Sequence, residues 1–95
     1  MSQASQRDSD DEKRRKRLKF RANHRGIKEM DIILGSFAND RIFELQQQEL
    51  DHFEKLMEEN DRDLLQWFTG EVDFPLDALR PIFDDIKSFT HKRLD

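Results

Sequence analysis

Three histidines, a dense set of carboxylates and one Arg-Gly step with a glutamate three residues beyond it are the groups in this chain that could do chemistry. His24, His52 and His91 share no HExxH or HxxxH spacing, so they do not form the one-sided pair that a helical zinc site needs. The pairs Glu58-Glu59 and Asp84-Asp85 are adjacent, and adjacent positions on a helix point in different directions. They read as a solvated acidic face, not as a general acid and base. No Ser or Thr has a histidine and an acid at a recognisable nucleophile spacing. Cysteine is absent, which removes disulfides, thiolate zinc sites and cysteine nucleophiles together. Gly26, Gly35 and Gly70 are too scattered for a dinucleotide fingerprint or a phosphate loop. No catalytic, metal-binding or cofactor-binding residue is assigned, and the chain is not read as an enzyme. What remains is RANHRGIKEMD, residues 21 to 31, which follows the basic run KRRKRLKFR and leads into an apolar helix.

The elements that carry this stretch follow from charge and periodicity. At 95 residues the chain is one domain at most. Residues 1 to 28 hold ten Lys/Arg against four Asp/Glu, and residues 29 to 95 hold seven against seventeen, so the two parts carry opposite fields. The acidic surface of the larger part argues against nucleic acid wrapping the domain. No apolar run approaches the roughly 20 residues of a membrane span, and MSQASQRDSDDEKRRKR has no apolar segment of signal-peptide type. Asp8, Asp10, Asp11 and Glu12 are unlike a mitochondrial transit peptide. The expectation is a soluble protein of a bacterial cytoplasm, without membrane insertion.

Residues 1 to 11 are Ser/Gln/Asp-rich, with little to reward their ordering, and read as a disordered tail; residues 12 to 92 read as a single helical domain. A short first helix from Glu12 to about Asn23 can dock through Leu18 and Ala22, with Phe20 less well placed. Ile27, Met30, Ile33, Leu34, Phe37 and Ala38 then make one helical stripe, with Gly35 beside it offering room for another helix. A third helix over Gln46 to Glu59 carries Leu50, Phe53, Leu56 and Met57, and Ile42, Phe43 and Leu45 pack in the connection before it. Asn60 or Asp61 caps a fourth, DRDLLQWFTG, with Leu64, Leu65 and Phe68 inward, Trp67 in the core or at its edge, and Gly70 as its stop. EVDFPLDA is a loop, and a fifth helix starting at Asp77 or Ala78 carries Leu79, Ile82, Phe83, Ile86 and Phe89, with Pro81 in its first turn. No segment alternates with period two, so sheet is not expected. The fold class is all-α, a compact bundle of about five short helices.

Within that frame the Arg-Gly step has a plain local reading. Gly26 turns the chain between the first two helices and caps the second, Glu29 lies at its third position beside the free amides, and Arg25 pairs with Glu29 four residues on. A second reading makes the same residues a contact surface.

HRGIKEMD, followed by an apolar helix and then by NDRDLLQWFTG, resembles the succinate dehydrogenase assembly factor 2 family, known in bacteria as the FAD assembly factor SdhE family. Its RGxxE hallmark is matched by Arg25, Gly26 and Glu29, extended by Met30 and Asp31. Its acidic-Leu-Leu-x-Trp-apolar segment is matched by Asp63, Leu64, Leu65, Trp67 and Phe68. The likeness runs over roughly residues 13 to 90. The first twelve residues lie outside it, as does His24, where related bacterial sequences often carry another basic residue.

The resemblance implies a five-helix, chaperone-like protein that binds the flavoprotein subunit of succinate dehydrogenase, and in some bacteria fumarate reductase. It would promote covalent attachment of FAD to a histidine of that client. The client-binding residues carried over are Arg25, Gly26, Glu29 and Asp31: Arg25 as charged anchor, Gly26 permitting close approach, Glu29 pairing with a client cation or orienting Arg25, and Asp31 on the same surface. FAD would belong to the client, so this chain alone binds no cofactor, and it is expected to be a monomer. Two rival readings are a regulatory module binding nucleic acid or an anionic membrane through KRRKRLKFR, and an antitoxin-like interaction protein. Of the two ligands in the first rival, nucleic acid is not the expected partner, because no polar recognition helix follows the basic run.

Overall fold

The computed structural model describes the backbone of residues 2–94 and the side chains of residues 10–92. Its helices are α1 (Ser2–Ala22), α2 (Lys28–Arg41), α3 (Gln47–Met57), α4 (Asp61–Thr69) and α5 (Arg80–Leu94), with one 3-10 turn over Asp77–Leu79 leading into α5. No strand occurs among the described residues, in line with the all-α bundle that periodicity requires. None of these helices is long and apolar enough to cross a membrane. Most of the tail expected over residues 1 to 11 falls on side chains outside the described set. Its last residue, Asp11, is helical and bonded, accepting from Gln47 Nε2 and Arg15 Nε at 2.8 Å each.

The helix ends follow their local chemistry. Asn60 Oδ1 accepts from the Arg62 amide at 2.8 Å and caps α4 at its start. Gly70, with φ of 82°, closes α4 in the left-handed conformation that glycine adopts without a Cβ clash. Gln46 opens α3, its amide held by Glu49 Oε1 at 2.9 Å. The opening of α2 differs from expectation: Ile27 and not Gly26 is the capping residue, and no side chain caps there.

α2 is the central element, in contact with α1, α4 and α5. Met30, Leu34, Phe37 and Ala38 are buried along its stripe, with Ile27 and Ile33 half-buried at the margins. Leu18 and Ala22 of α1, Leu50, Phe53, Leu56 and Met57 of α3, Leu64, Trp67 and Phe68 of α4, and Ile82, Phe83 and Ile86 of α5 pack around it in the core. Gly35 faces the end of α1 closely: a Cβ built there would lie 2.5 Å from Oδ1 of Asn23, the residue after α1, and 3.5 Å from Ala22 O. Asn23 is fixed at that crossing by donating to Lys19 O at 2.8 Å and to Asn39 Oδ1 at 2.9 Å.

Two apolar positions sit differently from their expectation, and a third joins the core from a loop. Phe43 is 50% exposed, because in the tight turn after α2 it points away from Ile42 and Leu45, which are buried on either side of it. Leu65 is only half-buried, and Trp67 takes the inward place beside Leu64 and Phe68. Phe74, in the loop, is a core residue: its ring stacks on Phe83 at 4.0 Å and meets the Trp67 ring edge-on at 5.2 Å.

Candidate functional site

The corner between α1 and α2 is built by one arginine that reaches across the bundle. Arg25 Nε donates to Asp61 Oδ1 at 2.7 Å, Nη1 to Met57 O at 2.8 Å and Nη2 to Glu59 O at 3.2 Å. Met57 ends α3 and Asp61 begins α4. A guanidinium fork fits this place because a helix C-terminus presents unsatisfied carbonyls and favours a cation, while an acid at the next N-terminus is favoured there. The pair is largely withdrawn from water, with 11% of the Arg25 side chain and 17% of the Asp61 side chain exposed.

Asp61 also fixes the residue after Arg25. Its Oδ2 accepts from the Gly26 amide at 2.7 Å, and a Cβ at Gly26 would come within 3.2 Å of that oxygen. Gly26 has no positive φ, so the turn does not require glycine for its backbone angles. Close approach of Asp61 is what favours glycine there. Asp31 Oδ1 accepts from the Arg25 amide, tying the start of the corner to the first turn of α2.

The four site residues predicted from sequence therefore divide. Arg25 and Asp31 hold the corner together, and Gly26 is both held and exposed. Glu29 is exposed in the first turn of α2, and the ion pair expected between Arg25 and Glu29 does not form, because the guanidinium turns to Asp61 instead. Gly26, Ile27, Asn60, Arg62 and Asp63 line an open depression at this corner. The two segments that carried the family likeness, HRGIKEMD and NDRDLLQWFTG, are thus bonded to each other through Asp61.

Sequence reasoning did not single out Asp61 as the partner of Arg25. The available signal was an acid at the first position of α4, where its dipole interaction is favourable and a long-range cation can join it. Arg15 was missed too. It is buried to 8% exposure, and its Nη1 donates to Ile42 O at 2.7 Å and Leu45 O at 2.8 Å, past the C-terminus of α2. Its signal was legible, since Asp11, Arg15, Leu18 and Ala22 share one helical stripe.

Among the described residues no group of three or more His, Asp or Glu is placed to hold a metal ion. The glycines lie at the corner, inside α2 and at the end of α4, not together in a phosphate-binding loop.

Residues 16–90 match the family model described as flavinator of succinate dehydrogenase. The chain is 39% identical over 69 residues to the FAD assembly factor SdhE of Acetobacter pasteurianus, covering 73% of this chain and 63% of that one. It is 39% identical over 59 residues to the mitochondrial succinate dehydrogenase assembly factor 2 of Schizosaccharomyces pombe, covering 62% and 42%. Against the protein of the same name from Dictyostelium discoideum it is 34% identical over 67 residues, covering 70% and 48%. The chain thus spans less than two thirds of the length of each of these curated relatives. No solved structure matches it. The matched span takes in α2 to α4 whole, with the Arg25–Asp61 corner inside it, and this chain belongs to the flavinator of succinate dehydrogenase family.

Proposed function

We propose that this chain is an assembly factor that binds the flavoprotein subunit of succinate dehydrogenase and promotes covalent attachment of FAD to it. Membership of the flavinator family, together with relatives named for FAD and succinate dehydrogenase assembly, supports the reading. The observation that carries the site is the exposure of Gly26 and Glu29 on a corner locked from behind by Arg25, Asp31 and Asp61. Such a corner presents a backbone edge and one free carboxylate in fixed relation, and pre-organisation of this kind lowers the ordering cost of binding.

In this reading FAD belongs to the client and the helper contributes no catalytic group. It selects a client conformation in which the acceptor side chain and the flavin are aligned, and alignment alone lowers the barrier. The protein acts as a monomer in the bacterial cytoplasm, and fumarate reductase is a second client. Arg25 serves as an anchor through the geometry it imposes, with Glu29 as the group free to meet a client cation.

Deleting the gene and comparing flavin fluorescence of the denatured succinate dehydrogenase flavoprotein on a gel tests the function. Loss of the covalent flavin signal, restored by the intact gene, is expected. An unchanged signal overturns the reading, and the same gel read at the fumarate reductase flavoprotein decides the second client.

A further inference from the structure

The basic run KRRKRLKFR is divided between two faces of α1. Arg14, Arg15 and Arg21 turn inward: Arg14 bridges Asp51 and Glu54 of α3 at 2.7 and 2.8 Å, Arg15 meets the carbonyls after α2, and Arg21 lies 3.8 Å from Glu54. Lys13, Lys16, Arg17, Phe20 and His24 fall at i, i+3, i+4, i+7 and i+11, a single stripe on the opposite side, and all five are exposed. Lys13, Lys16 and Arg17 have no ion-pair partner among the described residues. Phe20 is 61% exposed and stacked on His24 at 3.9 Å, so an aromatic pair closes the cationic stripe. No acid lies between Lys13 and His24 in the sequence, and the exposed Asp10 and Glu12 border the stripe only at its N-terminal end.

We propose that this outer face of α1 docks on an anionic phospholipid surface. The rest of the chain, from residue 29 onward, has ten more acidic than basic residues, so a negatively charged partner is met α1 first. A flat surface touches the stripe alone. A nucleic-acid groove has phosphate walls on both sides of an inserted helix, and on one flank of α1 these would meet Asp51, whose side chain is 58% exposed, and Glu54. The Phe20 ring, flanked by cations, suits the headgroup boundary, where an apolar group is buried shallowly while Lys and Arg stay with the lipid phosphates. Each Lys or Arg near a charged bilayer strengthens binding about fivefold, so three give reversible, salt-sensitive attachment of about a hundredfold over a neutral surface.

The test is co-sedimentation of the full chain with phosphatidylcholine vesicles that contain or lack phosphatidylserine. Binding only to the anionic vesicles, abolished at about 1 M salt where the Debye length is about 3 Å, is expected. The triple variant Lys13→Glu, Lys16→Glu, Arg17→Glu should bind at least tenfold more weakly with an unchanged helical circular dichroism spectrum, and Lys13→Gln, Lys16→Gln serves as a milder second variant. Phe20→Ser should bind the anionic vesicles more weakly than wild type. Equal sedimentation with both vesicles, no sedimentation at all, or wild-type binding by folded triple and double variants overturns the proposal. So does displacement from the vesicles by a duplex oligonucleotide at equimolar phosphate, which would give the stripe to nucleic acid.

Discussion

Arg25 and Asp61, 36 positions apart in sequence, form the contact on which the corner is built: Nε to Oδ1 at 2.7 Å, with the other carboxylate oxygen on the Gly26 amide at the same distance. One carboxylate thus fixes two successive residues of the α1–α2 link, and one guanidinium satisfies two carbonyls where α3 gives way to α4. Four helix ends meet through a single pair. An Arg-Gly step at this position has a structural purpose whatever binds outside it, and the surface beyond it inherits that rigidity.

Removing Asp61 should leave the shielded Arg25 guanidinium without its counter-charge and the Gly26 amide without its acceptor. Asp61→Ala is expected to cost about 2–4 kcal/mol in urea unfolding, since breaking a pair withdrawn from water costs more than the pair is worth. Arg25→Lys should not rescue the corner, because an ammonium cannot reach Asp61, Met57 O and Glu59 O in one plane. A double-mutant cycle between Arg25→Met and Asp61→Ala should give a coupling above about 0.5 kcal/mol, and additive effects would refute the clamp.

The helices themselves were legible because their signals are local. The stripe through Met30, Leu34, Phe37 and Ala38, the Asn60 cap and the Gly70 stop each depend on residues within a turn or two. The corner chemistry was not local. Arg25 has Glu29 four residues away, the pairing that helix spacing suggests, yet the approach angle of α3 and α4 offers two carbonyls and a carboxylate together. Phe43 was misplaced, and Phe74 was not foreseen as core, for the same reason: whether a loop aromatic is covered depends on which helix passes over it, and periodicity carries no information about that. Gly26 was read as a glycine that its turn requires, whereas its φ is not positive and the tight feature is the space beside it, where Asp61 Oδ2 approaches.

Gly35→Ala sets two effects of opposite sign against each other. Alanine gains about 1 kcal/mol of helix propensity, but its Cβ would sit 2.5 Å from Asn23 Oδ1, and overpacking costs about 1–3 kcal/mol. Asn23 is tethered to Lys19 O and Asn39, so the clash should win and the variant should lose about 1 kcal/mol. In an Asn23→Ala background the nearest atom beyond the removed amide is Ala22 O at 3.5 Å, an ordinary separation, and the same substitution should become stabilising. Thermal or urea unfolding of the four proteins checks the change of sign.

Arg15→Met keeps the aliphatic stem but removes the donors to Ile42 O and Leu45 O. Two buried carbonyls beyond α2 would lose a charged partner, at an expected cost of about 2–4 kcal/mol. Lys16→Met, one position along on the exposed face, should change stability by less than about 0.5 kcal/mol. Equal urea midpoints for the two variants would contradict the inward role of Arg15.

Asp11 supplies a pH test. The Gln47 amide and then the Arg15 guanidinium, both bonded to its carboxylate, hold its pKa below the ordinary 3.8. A lowered folded pKa means that its contribution is fully present above the unfolded value and is lost as pH falls through the folded one. The stability difference between wild type and Asp11→Asn should therefore be constant from neutral pH to about 5 and shrink below 3.8. Urea unfolding at a series of acidic pH values measures it, and a difference that grows towards acid would reverse the assignment.

Glu29 and Gly26 separate the two readings of the corner most cleanly. Glu29 is exposed and takes part in no ion pair among the described residues, so Glu29→Ala should change stability by less than about 0.5 kcal/mol. If its carboxylate meets the client, the variant should nevertheless lower the yield of covalent flavin in a reconstituted reaction. Gly26→Ala places a Cβ 3.2 Å from Asp61 Oδ2, which Asp61 can accommodate by moving a few tenths of an ångström, at a cost of about 1 kcal/mol or less. Flavinylation that falls further for Gly26→Ala than for an equally destabilised core variant such as Ile82→Val identifies the backbone edge as a contact. A fall that only tracks the urea midpoint leaves Gly26 as a packing residue, and unchanged flavin yield in Glu29→Ala removes Glu29 from the client surface.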